Sequence, residues 1–245
     1  MRIFASIHIG KTAGTAFAYV LRDSVSHRLP VFFYYGTGHP LTGIWIAGAR
    51  LDTSDAMSEE QLTERFICQA REYGAGIIQA HRPLCEFLQA LGDSLEFITW
   101  LRDPVQRICS HYFFWRNAKH QPQRPDVREL FWAVKSGRCS LLEFGTRPEI
   151  CDSYQNFFIP LGLEGVTFAG IVEHQTISLQ HLSRLLGIAL PDRLPRKNVA
   201  KQKQGSIYSV PKHVEEAILA HNTSDVTIYA KALARLDPLD SILRK

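Results

Sequence analysis

Residues Ile3–Thr15 read IFASIHIGKTAGT, and no other stretch restricts the folding of this chain as tightly. An apolar, strand-like run stops at a short loop holding Gly10, Lys11, Thr12, Ala13, Gly14 and Thr15, and a helical pattern, AFAYVLRDSV, begins at once. A strand that hands its carboxyl end directly to a helix start gathers unpaired backbone N–H groups and the positive end of a helix dipole at one spot. Glycine lets the backbone approach a ligand there, Lys11 adds a mobile cation, and Thr12 and Thr15 add hydroxyl donors. The stretch is expected to hold a phosphate or sulfate group.

A nucleotide-triphosphate loop of the Walker A type reads G-x-x-x-x-G-K-[ST]. Gly10-Lys11-Thr12 supplies its end, but Ala5 stands where its first glycine belongs, and Ser6-Ile7-His8-Ile9 alternates as a strand does. The loop is too short to encircle a triphosphate and suits one phosphate with whatever is attached to it.

Leu95–Arg116, LEFITWLRDPVQRICSHYFFWR, is a second junction of the same kind. Leu95–Leu101 is a buried-strand run rich in aromatic and β-branched residues. Arg102-Asp103-Pro104 ends it, with Asp103 as a cap and Pro104 as the first helical residue. Arg102 then lies at a strand's carboxyl end, where open α/β sheets bind ligands, and Ser110 lies about two turns into the next helix. A guanidinium fork beside a hydroxyl is a receptor for a second, terminal phosphate. An arginine that only pairs with Asp103 or caps a carboxyl terminus is the plainer alternative.

As a pair the two stretches are specific. HIGKTAGT resembles the 5′-phosphosulfate loop of sulfotransferases, and LRDPVQRICSHY resembles their 3′-phosphate motif, LRDPxxRxxSxYY. The likeness is to the carbohydrate branch that includes heparan sulfate and uronyl 2-O-sulfotransferases. Weaker likenesses follow in the expected order: AHRPL at 80–84, GIVE at 170–173 followed by SLQHLSRLLG, and the spacing Asn222, Asp225, Tyr229. Two departures stand out. Gly10 replaces the usual proline before the lysine, which leaves the loop less rigid. Gln79 fills the first position of the His-x-His pair that some 2-O enzymes carry, so only His81 remains.

The resemblance implies an α/β, three-layer P-loop-like fold with a central parallel sheet flanked by helices. It implies 3′-phosphoadenylyl sulfate (PAPS) as co-substrate, with in-line transfer of the sulfuryl group to an acceptor hydroxyl of a carbohydrate or small molecule. Catalysis would then be positioning plus stabilisation of charge on the leaving group, with no metal required. Lys11 would neutralise the 5′-phosphate; Gly10 and the residues from Thr12 to Thr15 would cover its other oxygens; Arg102 and Ser110 would meet the 3′-phosphate. The acceptor needs a base, and His81, after the apolar run Gly76–Ala80, is the candidate, since neutral imidazole is available at pH 7. A histidine satisfied by a hydrogen bond within a turn is the alternative. His8 reads as a packed strand residue that shapes the loop, and His111 as core or cleft-lining. Glu173 either orients Lys11 or the acceptor or is structural. In the family a loop near Arg196–Ser206, RKNVAKQKQGS, closes over the 3′-phosphate, which makes Lys201, Lys203, Gly205 and Ser206 candidates; a solvated linker is the other reading. Two rival functions remain: a nucleotide or small-molecule kinase, and a non-catalytic anion- or glycan-binding protein.

The rest of the sequence suits one domain over 1–245. With 245 residues, 45% of them hydrophobic, the chain can bury one sizeable core, and it shows no internal repeat. A formal charge of +4 is too mild to imply nucleic acid. No apolar run reaches membrane-spanning length and no leader pattern follows Met1, so the expectation is an unanchored, bacterial-type, cytoplasmic member. Cys68, Cys85, Cys109, Cys139 and Cys151 lack close metal spacing and read as reduced, mostly buried thiols. Strands are expected at Arg2–Ile9, Gly76–Ala80, Leu95–Leu101 and Val166–Val172. Helices are expected at Thr15–Ser26, Ser58–Tyr73, Pro83–Ala90, Pro104–Asn117, Ile177–Leu186, Val210–His221 and Ser224–Leu236. Strands separated by helices call for right-handed crossovers and a doubly wound sheet. Leu29–Asp55 and Lys119–Pro125 break the rhythm and read as acceptor-binding loops or plain connectors.

Overall fold

Apolar runs flanked by amphipathic helices can bury both faces only by forming the middle layer of an α/β stack, and the chain does so. A computed structural model describes residues 1–35, 39–51, 57–91, 95–118, 122, 125–195 and 207–243. In order the elements are β1 (Arg2–Ile7), α1 (Gly14–Asp23), β2 (Val31–Tyr34), β3 (Gly43–Ile46), β4 (Ala49–Arg50), α2 (Glu59–Tyr73), β5 (Ala75–Ala80), α3 (Leu84–Leu91), β6 (Leu95–Leu101) and α4 (Pro104–Asn117). There follow α5 (Arg128–Ser136), α6 (Leu141–Gly145), α7 (Ser153–Phe158), β7 (Val166–Ile171), α8 (Gln175–Leu186), α9 (Lys212–His221) and α10 (Thr223–Leu243).

The seven strands form one sheet in the order β4-β3-β2-β5-β1-β6-β7. The five from β2 to β7 run parallel, while β3 and β4 pair antiparallel at one edge. Alternation along β1 sends Ile3, Ala5 and Ile7 to one face, against Phe66 of α2 and Tyr154 and Phe158 of α7. Phe4 points the other way, into a cluster with Phe17 and Leu21 of α1 and Leu179 and Leu182 of α8. A third cluster, with Ile108, Trp115, Phe131, Val134, Phe144 and Ile218, joins α4, α5, α6 and α9.

Each expected strand and helix is present. Leu95–Leu101 and Pro104–Asn117 agree to the residue, and the first strand ends at Ile7 rather than Ile9. Ser58 and Gln61 form the reciprocal cap that opens α2. Asp103 caps α4 by accepting from the Gln106 N–H at 2.9 Å, with Pro104 in the first turn.

Leu29–Asp55 corrects the reading of that segment as a loop or connector. It holds β2, β3 and β4, strands of four residues or fewer, and it makes the sheet mixed rather than wholly parallel. The β3–β4 turn, Ala47-Gly48, has positive φ at both residues (52° and 78°), the geometry of a tight two-residue hairpin. The sequence reading also assigns no element to α5, α6 or α7. All five thiols are free, but only Cys109 and Cys139 are buried; Cys68 and Cys85 are exposed, against the expectation of mostly buried cysteines. Among the described residues no helix is long and apolar enough to cross a membrane.

Candidate functional site

Because β2, β5, β1, β6 and β7 are parallel neighbours, their carboxyl ends share one sheet edge. The residues that leave those ends are, in spatial order, Tyr35, His81, the loop from His8 to Ala13, Arg102 and, one residue further along, Glu173. Lys11, His81 and Arg102, far apart in sequence, therefore issue from three adjacent strands. This is the edge at which open α/β sheets bind ligands.

The loop after β1 is bent by two non-glycine residues in left-handed conformation, Lys11 (φ 71°) and Ala13 (φ 64°). Such backbone costs about 1 kcal/mol or more per residue and persists where the surroundings enforce it. Left-handed residues of this kind are also what anion-binding loops use to bring successive N–H groups together. Thr12 is buried and donates its hydroxyl to the Ile9 carbonyl at 2.9 Å, so it braces the loop instead of offering a donor, which corrects one expected role. Ala13 is the N-cap of α1 and no side chain caps that helix, whereas Ser58, Asp103 and Ser140 cap theirs. Gly10 and Thr15 are exposed. The Lys11 ammonium lies 3.8 Å from the centroid of the Phe114 ring on α4, a cation–π contact.

His81 is tied to this loop. Its Nδ1 lies 2.8 Å from the His8 carbonyl oxygen. A carbonyl only accepts, so Nδ1 carries the proton and Nε2 keeps a lone pair. The His8 ring stacks on the His81 ring with centroids 3.7 Å apart and planes 26° apart. His8 Nδ1 is hydrogen-bonded to the Tyr35 hydroxyl at 3.2 Å, and the Tyr35 ring lies 5.4 Å from His81 and 4.8 Å from His39. The His81 side chain reaches solvent, yet the atoms packed around its ring partly desolvate it and hold it below the ordinary imidazole value; the nearby His39 and Lys11 charges act in the same sense, against the His8 carbonyl. Burial, followed by His81, Lys11 and His39, pushes His8 well below it. Both rings are neutral at pH 7. Gly14 makes room for the stack: a Cβ there would lie 1.8 Å from His8 Cδ2.

The Arg102 side is built from charge. Arg102 is buried, its Nε 3.7 Å from a Glu173 carboxylate oxygen and its guanidinium 5.7 Å from the Tyr208 ring. Tyr208 is hydrogen-bonded to Ser110 through its hydroxyl and to the Gln106 side chain through its backbone, at 2.7 and 3.1 Å. Glu173 also accepts from the Asp103 N–H at 3.3 Å and the Tyr229 hydroxyl at 3.2 Å. It thus serves Arg102, not Lys11. Burial pushes Glu173 above the usual carboxylate range, opposed by backbone N–H groups and Arg102. The Arg102 backbone is gripped at both ends by the Tyr154 hydroxyl, which accepts from its N–H and donates to its carbonyl. Tyr154 N–H donates in turn to Asp225 at 2.7 Å, and Asp225 faces buried Arg107 at 3.3 Å. Desolvation pushes Asp225 up to about 6 despite Arg107. The Asn222, Asp225 and Tyr229 spacing is therefore scaffolding for this side: Asn222 accepts from Asp152 N–H and donates to the Ile218 and Gly145 carbonyls.

His111 is half-buried and packs edge-on against Trp115 and Phe144. Lys201, Lys203, Gly205 and Ser206 lie outside the described residues. Tyr35, Tyr154, Tyr208 and Phe114 were not candidates from sequence; Tyr35 could have been found only by recognising β2, and the others carry no local signal. Among the described residues no group of three His, Cys, Asp or Glu side chains could hold a metal ion. Comparison with protein-family models gives no match, and comparison with curated proteins gives none either.

Proposed function

We propose that this chain is a PAPS-dependent sulfotransferase with a P-loop-like fold, acting on a hydroxyl of a carbohydrate. The observation that carries the reading is the delivery of three different chemistries to one sheet edge by three adjacent parallel strands. These are a cationic loop at Lys11 leading into the uncapped start of α1, an imidazole with a lone pair at Nε2 of His81, and a braced guanidinium at Arg102. The donor, when bound, supplies an activated sulfuryl group. The left-handed turn at Lys11 and Ala13 and the start of α1 suit its 5′-phosphate, and Arg102 with Ser110 and Tyr208 suits its 3′-phosphate. His81 Nε2 accepts the proton of the attacking hydroxyl while Nδ1 stays bonded to His8, so the ring does not rotate as charge develops. Lys11 leaves Phe114 to meet the leaving oxygen, where its charge counts most. A cytoplasmic setting goes with this proposal, because five unpaired thiols suit a reducing compartment.

Thermal shift with adenosine 3′,5′-bisphosphate, AMP and ATP tests the donor class. Selective stabilisation by the bisphosphate is expected, followed by transfer of labelled sulfate from PAPS to an oligosaccharide panel. Preference for ATP with magnesium-dependent turnover would establish the kinase reading instead. Bisphosphate binding without transfer to any acceptor would favour a binding protein.

A further inference from the structure

We propose that the His8 side chain is a positioning residue for His81: wedged between Gly14 and Tyr35, its ring is the platform that fixes the orientation of His81 and keeps water from one of its faces. The kinetic part of this inference rests on the sulfotransferase reading; the structural part does not.

Three independent contacts hold the platform. The His8 backbone N–H donates to Ala80 O at 3.0 Å and its carbonyl accepts from His81, so the two residues are locked together across the β1–β5 junction. The missing Cβ of Gly14 leaves the space that the His8 ring fills, and the Tyr35 hydroxyl fixes His8 Nδ1. His8 is only 6% exposed, and its ring lies between the Gly14 backbone, the Tyr35 ring and the His81 ring, stacked on the last. Two stacked imidazoles cannot both carry charge at this separation, and His8, the more deeply desolvated, stays neutral. The other titratable or charged groups facing the pair are Tyr35 and His39, beyond β2, and Lys11, on the loop.

Two substitutions separate the two properties of the ring. His8→Phe keeps a flat ring and drops the bond to Tyr35; His8→Asn keeps a polar group near the Nδ1 position and removes the platform. The full chain is compared by NMR titration of the His81 imidazole, by kcat against pH with PAPS and an oligosaccharide acceptor, and by affinity for adenosine 3′,5′-bisphosphate. In His8→Asn, water reaches the exposed face and the His81 midpoint should rise by roughly half a unit or more. Its kcat should fall roughly ten- to a hundred-fold through loss of orientation, with bisphosphate affinity within about twofold. His8→Phe should keep the low midpoint and most of kcat, and Tyr35→Phe should shift both in the same direction as His8→Asn but less.

An unchanged His81 midpoint in His8→Asn overturns the proposal, as does equal loss in the Phe and Asn variants together with lost bisphosphate affinity, which would make His8 a loop-shaping residue only. If His8→Asn does not fold, Tyr35→Phe decides: no shift in the His81 midpoint overturns the proposal. If the wild type moves no sulfate from PAPS, the functional reading fails, while the NMR titration still decides the role of His8.

Discussion

The two halves of the strand-end edge hold their polar groups in opposite ways. Around β5 and β1, buried His8, half-buried Tyr35 and solvent-reaching His81 are joined by hydrogen bonds and ring stacking, with both imidazoles pushed towards the neutral form. Around β6 and β7, Arg102 is paired with Glu173 and Arg107 with Asp225, and the pairs are pinned by tyrosines and backbone groups. The neutral half leaves a lone pair at His81 Nε2 available for a proton. The charged half holds a fixed positive group whose backbone cannot move without breaking the Tyr154 bonds. One half offers a proton acceptor and the other a pinned guanidinium, the two kinds of group that the proposed transfer calls for.

The widest separation should come from His81→Ala, which removes the imidazole whose Nε2 keeps a lone pair. Turnover with PAPS should fall by about 10²–10⁴-fold. Affinity for adenosine 3′,5′-bisphosphate should stay as in the wild type; retention of most turnover would move the base elsewhere. Asp225→Ala attacks the other half from beneath. It strands Arg107, 2% exposed at its side chain, and should cost about 3–5 kcal/mol in urea unfolding. Because Tyr154 loses its acceptor, bisphosphate binding should weaken as well, while the His81 titration stays in place. A shifted His81 midpoint in that variant would show that the halves are mechanically coupled.

Arg102→Ala should divide the ligands rather than the halves. Loss of charge-assisted bonds to one phosphate is worth about 1.5–3 kcal/mol, so the bisphosphate should bind roughly ten- to a hundred-fold more weakly while AMP is nearly unaffected. Equal losses for the two nucleotides would remove the 3′-phosphate from this side.

The smallest effect is a difference in sign. His8 and His81 titrate below their ordinary 6.5 in the folded chain, so the unfolded chain takes up protons that the folded one refuses. Their contribution to stability is fully present above 6.5 and is lost as pH falls through that value towards the lower folded values. Asp225 is pushed from 3.8 up to about 6, so the folded chain binds the extra proton in that interval, and stability falls as pH rises through it. The two trends oppose each other near pH 5–6. Asp225→Asn should therefore steepen the gain in Tm between pH 5 and 6.5, and His8→Asn should flatten it; a slope unchanged in both variants would refute the assignment.

Legibility differed between the same two halves. Pro104 with Asp103 specifies a helix start by local chemistry, and Leu95–Leu101 a buried strand by composition, so the position of Arg102 at a strand end could be read directly. The same holds for Lys11 between β1 and α1. Neither Tyr154 nor Asp225 could be assigned to Arg102, because their contacts span 52 and 71 residues of sequence and nothing local announces them. The neutral half was hidden further. β2 is four residues long, too short for periodicity to stand out among turn residues, and without it Tyr35 has no place beside His8.

Local sequence thus determined the kinds of junction in this protein: strands that end in a cationic loop, a histidine and an arginine, each followed by a helix. Backbone sterics, capping and apolar periodicity act within a few residues, so they are written into any short stretch. Only the tertiary structure decided that β5, β1 and β6 are neighbours, that His8 lies against His81 rather than in the sheet core, that Thr12 turns inward, and that Glu173 serves Arg102 instead of Lys11. Those outcomes depend on strand order and register, which are set by the joint burial of both faces of the sheet and by which buried polar groups find partners there.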